Sequence, residues 1–127
     1  MSETTALAQL REALGNRVRT APEEIYPLSF DGMRLAFPHQ ADVHIDAAEQ
    51  VGTVLRIANE HRVPVTTRGA GSSLTGSASP ASGGWALLME GLKELEIDSL
   101  NQFARVGSGV VVQDLQNAAK AVGLVIP

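Results

Sequence analysis

The stretch Arg68-Gly69-Ala70-Gly71-Ser72-Ser73-Leu74-Thr75-Gly76 sets three glycines and three hydroxyl side chains beside one arginine. Glycines allow successive backbone N–H groups to converge on an anion, hydroxyls add donors, and an arginine adds positive charge. That inventory suits a phosphate or a diphosphate. Two known grammars fail here. Gly71 and Gly76 have the separation of a Walker A loop, but Ser77 stands where the lysine should reach the phosphates. The start of a G-x-G-x-x-G fingerprint at Gly69 and Gly71 runs into Leu74 and then a Pro/Ser/Gly stretch, not into a helix. A flexible glycine/serine surface loop explains the same composition, and composition alone leaves both readings open.

Other residues offer less chemistry. His39 and His44 fall on an irregular segment and an expected strand, and His61 falls at a helix end, so none has the one-face placement of a metal pair. All three are read as surface histidines, and no metal ligand is assigned. Glu90, Glu94, Glu96 and Asp98 surround a strand and read as the solvent face of a half-buried sheet. Ser72 and Ser73 lack a G-x-S-x-G elbow, so nucleophilic serine chemistry has little support. Trp85 is read as core. No residue of the chain is assigned a catalytic role.

The elements that must position the loop follow from periodicity. Ala6, Leu7, Leu10, Ala13 and Leu14 share a helical face and Gly15 offers a stop, which predicts a helix over about 4–14. Residues 16–40 show no sustained period and contain Pro22, Pro27, Asp31-Gly32 and Pro38, so they read as an extended arm. Asp46 and Glu49 form a D-x-x-E cap ahead of Val51, Val54, Leu55 and Ala58, a second helix ending at His61. The runs "VHI" and "VPVTT" on either side predict a β-α-β unit that delivers the glycine loop at the carboxyl end of a strand. Beyond the loop, "WALLME" is a buried strand, "ELEID" and "FARVG" flank "SLNQ" as a hairpin, and Gln113 to Val122 is a third helix capped by Gly123. The fold class is α+β: a small mixed sheet with a β-α-β unit flanked by helices.

Composition bounds the rest. The 127 residues suffice for one domain or part of one, able to bury roughly two thirds of the unfolded surface. The chain has no cysteine, which removes disulfides, thiolate metal sites and cysteine nucleophiles. A net charge of -4 with scattered arginines argues against nucleic acid. No apolar run approaches the length of a membrane span and no secretory signal stands at the start, so a cytoplasmic location is expected.

The ordered combination of "VPVTTRGAGSSLTG", an apolar strand after Gly83-Gly84, and "LKELEIDSLNQFARVGSGVVVQDLQNAAKAVGLVIP" resembles the first part of an FAD-binding domain. The type is that of vanillyl-alcohol oxidase and p-cresol methylhydroxylase, in the glycolate oxidase and D-lactate dehydrogenase branch. The family pattern runs P-V-x-x-R-G-x-G-[TS]-S-L-x-G, then a strand, I-x-x-[IL]-D and V-x-x-G-V before a helix ending in G-L. "EEIYPLSFDG" stands where the family has Y-S-x-D, with Leu28 in place of the tyrosine. The resemblance runs from about residue 18 onward.

The resemblance implies non-covalent FAD, its pyrophosphate held mostly by backbone at Arg68, Gly69, Ala70, Gly71, Ser72 and Ser73, with Gly76 and Ser77 closing the turn. Gly107 and Gly109 correspond to a second approach near the adenine end, although a tight strand-to-helix connection explains them as well. The resulting division is an N-terminal helix over 1–17, an arm over 18–40 and an FAD-pyrophosphate-binding subdomain over 41–127. The implied activity is oxidation of a small 2-hydroxy acid, with the rest of the flavin domain and the substrate domain outside this chain. Alternatives are a non-catalytic module binding a nucleotide phosphate or a partner chain, and a flavoprotein like UDP-N-acetylenolpyruvoylglucosamine reductase. Self-association, or contact with other subunits of an oxidase complex, is also expected of a chain holding one side of the cofactor.

Overall fold

The computed structural model describes residues 4–127. Helix α1 spans Thr5–Leu14, with the Thr4 hydroxyl accepting from the Leu7 N–H at 3.4 Å and Gly15 ending it. Its buried face is Ala6 and Leu10, with Leu7 and Leu14 packed beside them. A single helical turn, α2, covers Pro22–Ile25. Helix α3 spans Ala48–His61 and buries Val54, Ile57 and Ala58. Leu55, placed on that face by the sequence pattern, is 49% exposed, and Ile57 takes its role. The cap of α3 also differs from expectation. Gln50, not Glu49, reaches back: its Oε1 accepts from the Asp46 N–H at 2.9 Å and its Nε2 donates to Asp46 Oδ1 at 2.9 Å. The helix begins one residue later than the D-x-x-E pattern implies, and Gln50 then sits three residues beyond its N-cap.

Strands β1 (Val18–Arg19), β2 (Ala41–His44), β3 (Val65–Arg68) and β4 (Trp85–Leu88) form one sheet in the order β1-β2-β4-β3. β1 is antiparallel to β2, while β2 and β3 both run parallel to β4. The expected β-α-β unit is therefore present but split, with β4 inserted between its strands. The reason lies in burial: all four residues of "WALL" are closed to solvent, and such a strand belongs in the middle of a sheet. Ala41, Val43, Trp85 and Leu87 join α1 and α3 in the core. The alternate positions Asp42, Ala86 and Leu88 are buried as well, so the other sheet face is also covered.

The segment over 16–40 is more ordered than an extended arm. It holds β1, α2 and a 3₁₀ turn over Tyr26–Leu28 before running on without regular structure to β2. Elements this short show no period in a sequence, and β1 exists because β2 offers it a free edge. A salt bridge from Arg17 to Asp46 at 2.7 Å, with Asp46 accepting also from Gln50, ties the start of the arm to the start of α3.

The C-terminal third follows the sequence reading. β5 (Leu95–Asp98) and β6 (Phe103–Val106) form an antiparallel hairpin, and α4 spans Val112–Ala121 with Leu124 N–H returning to Ala119 O at 2.9 Å past Gly123. The hairpin turn is closed by Asp98, whose Oδ1 accepts from the Asn101 N–H and whose Oδ2 accepts from Asn101 Nδ2, both at 2.8 Å. The Asn101 side chain, and then its backbone N–H, hold the Asp98 carboxyl below its ordinary value. A carboxylate with a lowered folded pKa stabilises above its unfolded value and loses that contribution as pH falls through the folded one. Asn101→Ala should move the Asp98 titration back up toward its ordinary value, read by NMR; an unmoved titration would show that Asn101 is not the cause.

Candidate cofactor site at the glycine loop

The chain leaves the carboxyl end of β3 at Arg68 and reaches the amino end of β4 only at Trp85, so the segment between them must cross back along the sheet. Parallel neighbours usually use a helix for this crossover; here it is the glycine loop and the "SASPASGG" run. The second half of the crossover is packed, with Ala78, Ser79 and Pro80 buried. The first half is not. Gly69, Ala70 and Ser72 are exposed, and a Cβ built at Gly69 would meet nothing within 4 Å. Backbone presented this way, at the carboxyl end of a parallel strand, is where open α/β sheets bind ligands.

Hydroxyls line the loop tip. Ser73 Oγ lies 2.9 Å from Thr75 Oγ1 and 3.2 Å from Ser77 Oγ, and Thr75 Oγ1 donates to Ser77 Oγ at 3.0 Å. Each hydroxyl has one proton and two lone pairs, so this exposed trio keeps capacity for a further partner. Gly71 takes φ 71° and Gly76 φ 78°, conformations that side chains disfavour.

Arg68 has a different occupation from the one read in the sequence. It is only 6% exposed. Its Nη1 donates to the carbonyls of Phe30 at 2.6 Å and Leu28 at 3.4 Å, so the guanidinium is engaged by the arm rather than turned out beside an anion. A Cβ at Gly71 would strike that guanidinium. Gly71 is thus glycine because the Arg68 side chain passes against it, a reason independent of any ligand. Gly76 is likewise occupied: its N–H donates to Asp31 Oδ2 at 2.8 Å. Gly32 N–H completes the contact by donating to Ser73 O at 2.8 Å. Asp31 and Gly32, read as part of an extended arm, are therefore part of the loop's support; the signal in the sequence was the Y-S-x-D resemblance, whose aspartate is Asp31.

Gly107 and Gly109 sit elsewhere. Gly107 N–H donates to Glu94 O at 2.7 Å and Gly109 N–H to Leu92 O at 2.8 Å. A Cβ at either would drive into the backbone of residues 89–92. Close packing of the β6-to-α4 connection on the β4-to-β5 connection accounts for both glycines.

The histidines divide. His44 is exposed, and His61 is half-buried with its Nε2 2.7 Å from Gln9 Oε1. His39, expected at the surface, has a fully buried side chain with Nε2 2.7 Å from Asp42 Oδ1. It is a structural pair beneath the arm. The correction has a simple cause: β2 is buried on both faces, so Asp42 needs a polar partner there. Among the described residues no three His, Cys, Asp or Glu side chains are placed to hold a metal.

A cavity of about 760 Å³ is lined by Thr4, Pro38, Arg62, Pro64 and Gly84 among others. It lies toward the amino ends of β3 and β4, opposite the loop. Open backbone, free hydroxyl capacity and a strand-end position are what an anion-binding loop requires, and here they stand in a small α+β unit. Its type is given by comparison with known proteins. Residues 39–127 match the FAD binding domain family, and the chain belongs to that family.

Relatives and solved structures agree. The chain is 41% identical over 80 residues to the D-lactate dehydrogenase of Archaeoglobus fulgidus, covering 63% of this chain and 18% of that protein. It is 37% identical over 113 residues to glycolate oxidase subunit GlcD of Escherichia coli K12, covering 87% of this chain and 23% of that one. Its fold superposes on p-cresol methylhydroxylase with substrate bound at TM-score 0.78 and 27% identity, over 94% of this chain and 24% of that chain. Alkyldihydroxyacetonephosphate synthase shares the fold at TM-score 0.81 and 15% identity, over 97% of this chain and 28% of that chain. This chain thus spans between 18% and 28% of the lengths of these proteins.

Proposed function

We propose that this chain holds the pyrophosphate of FAD in an oxidoreductase acting on a small 2-hydroxy acid of the glycolate or D-lactate kind. The observation that carries the reading is the loop from Arg68 to Ser77: exposed backbone at the carboxyl end of β3, in a chain whose family binds FAD. Gly69, Ala70, Ser72 and Ser73 are the residues that would face the phosphates, by N–H groups and hydroxyls. Arg68, Gly71, Gly76 and Ser77 shape that surface. Gly107 and Gly109 support the neighbouring connection, and no contact to the adenine end is needed to account for them. FAD supplies the acceptor of two electrons from the hydroxyl-bearing carbon, and the protein's part is to bind and orient it. The named relatives support the hydroxy-acid branch.

Ser72 makes a specific expectation. Some members of the resembled family bond the flavin to a histidine directly after the second glycine, and a serine hydroxyl offers no such attachment here. Acid precipitation of the flavin-loaded protein should leave all the yellow chromophore in the supernatant; flavin in the pellet would contradict non-covalent binding.

Self-association belongs to the same proposal. Phe103, Val106, Val111 and Val112 lie exposed along β6 and the start of α4, a concentration of apolar side chains that favours contact with another surface. Light scattering of the isolated chain should show a dimer or larger species; a monomer at high concentration would remove this part. The experiment for the reading itself is FAD titration of the apo-protein: Gly71→Val and Arg68→Gln should bind more weakly than wild type, and equal affinity in all three would remove the loop from the cofactor site.

A further inference from the structure

We infer that Asp31, an arm residue outside the glycine loop, is a positioning residue for FAD, acting through the shape of the loop. The inference rests on the reading that residues 69–77 face the pyrophosphate. Asp31 is 3% exposed, and both its oxygens are used. Oδ1 accepts from the Met33 N–H at 3.0 Å and closes the arm's own turn. Oδ2 accepts from the Gly76 N–H at 2.8 Å and grips the far end of the loop.

These bonds complete a two-ended clamp. At the near end, Arg68 reaches down from β3 to the carbonyls of Leu28 and Phe30. At the far end, Gly32 N–H holds Ser73 O and Asp31 holds Gly76. Between those ends the loop's hydroxyls bond to one another, and Leu74 stands 73% exposed. With so little packing, the direction in which the Gly69 to Ser73 backbone faces is set by the arm. A carboxylate near an anion-binding loop opposes the anion by charge, so its contribution must come through geometry. Hydrogen bonds to a charged acceptor are also stronger than neutral ones, which suits a device that must hold a loop without apolar contacts.

Asp31→Asn tests this with little change in volume. An amide keeps one acceptor oxygen and turns a donor toward either Met33 or Gly76. In the full-length flavoprotein, FAD affinity of the apo-protein should fall at least about tenfold. In the flavin-free protein, amide exchange at Gly76 should quicken while exchange at Val43 and Leu87 in the sheet stays slow. Asp98→Asn, which removes an exposed turn carboxylate, serves as the control and should leave FAD affinity alone. Wild-type affinity in Asp31→Asn, or unaltered exchange at Gly76, overturns the inference. So does quickened exchange throughout the sheet, since Asp31 would then support the fold in general. If Gly71→Val also binds FAD normally, the loop reading falls with it; if Gly71→Val loses FAD and Asp31→Asn does not, only the clamp is wrong.

Discussion

Replacing Gly71 with valine should empty the protein of FAD. Two independent effects act at this position. The backbone there has φ 71°, which a β-branched residue adopts only with strain, and a Cβ would collide with the Arg68 guanidinium. Arg68 cannot move freely, because its Nη1 bond to Phe30 O at 2.6 Å fixes the arm. The collision must therefore displace the loop, the arm or both, and the exposed backbone from Gly69 to Ser73 loses its direction. The atoms such a Cβ would meet first all belong to the Arg68 side chain, so α1, α3 and β4 should persist. Flavin absorbance of the purified full-length variant should be close to absent, with far-ultraviolet circular dichroism near wild type. A variant that retains full flavin would show that neither the Arg68 contact nor the loop conformation matters for the cofactor. Arg68→Gln should act on stability as well as affinity, since a shorter neutral side chain abandons two carbonyls beneath the loop.

The second large effect is expected far from the loop. His39→Ala should destabilise the fold by about 3 to 5 kcal/mol, because it strands the Asp42 carboxylate in a site that is 1% exposed. Asp42 Oδ2 lacks a hydrogen-bond partner among the described residues, so the carboxylate depends on the bond between Oδ1 and His39 Nε2. The pair also links the end of the arm to β2, and its loss frees the segment that leads to Asp31. Urea unfolding should show a lowered midpoint for His39→Ala and a smaller loss for the double variant His39→Leu with Asp42→Leu, which removes both polar groups together. Additive losses, or a His39→Ala midpoint equal to wild type, would mean that the pair does not stabilise the sheet.

What the sequence made legible is what repeats locally. The span of α1, the hairpin around Ser99 to Gln102 and the end of α4 at Gly123 each follow from a period or a turn residue, and each stands where expected, although Ala13, placed on the α1 face by the same period, is exposed. The pairing of β4 between β2 and β3 was not legible, because parallel order depends on which strand is buried on both faces, and that emerges only when all of them are assembled. The composition of the glycine loop suggested an anion and its position after β3, yet it gave no sign of where the Arg68 side chain goes. An arginine beside two glycines has the same appearance whether it points at a phosphate or at two carbonyls far earlier in the chain. The Y-S-x-D resemblance marked Asp31 but not its partner: Gly76 is distant in sequence, and nothing local distinguishes a clamp from a turn. His39 escaped because a polar residue in an irregular segment reads as exposed unless the strand behind it is known to be covered.

Hydrogen–deuterium exchange of the full-length flavoprotein, compared with and without FAD, tests the central assignment most directly. If the backbone from Gly69 to Ser73 faces the pyrophosphate, peptides covering Arg68 to Ser77 should exchange more slowly when FAD is bound. Peptides over α1, packed against α3 and away from the loop, should exchange alike in both states. Identical exchange of the Arg68 to Ser77 segment with and without flavin would contradict the assignment and place the cofactor elsewhere.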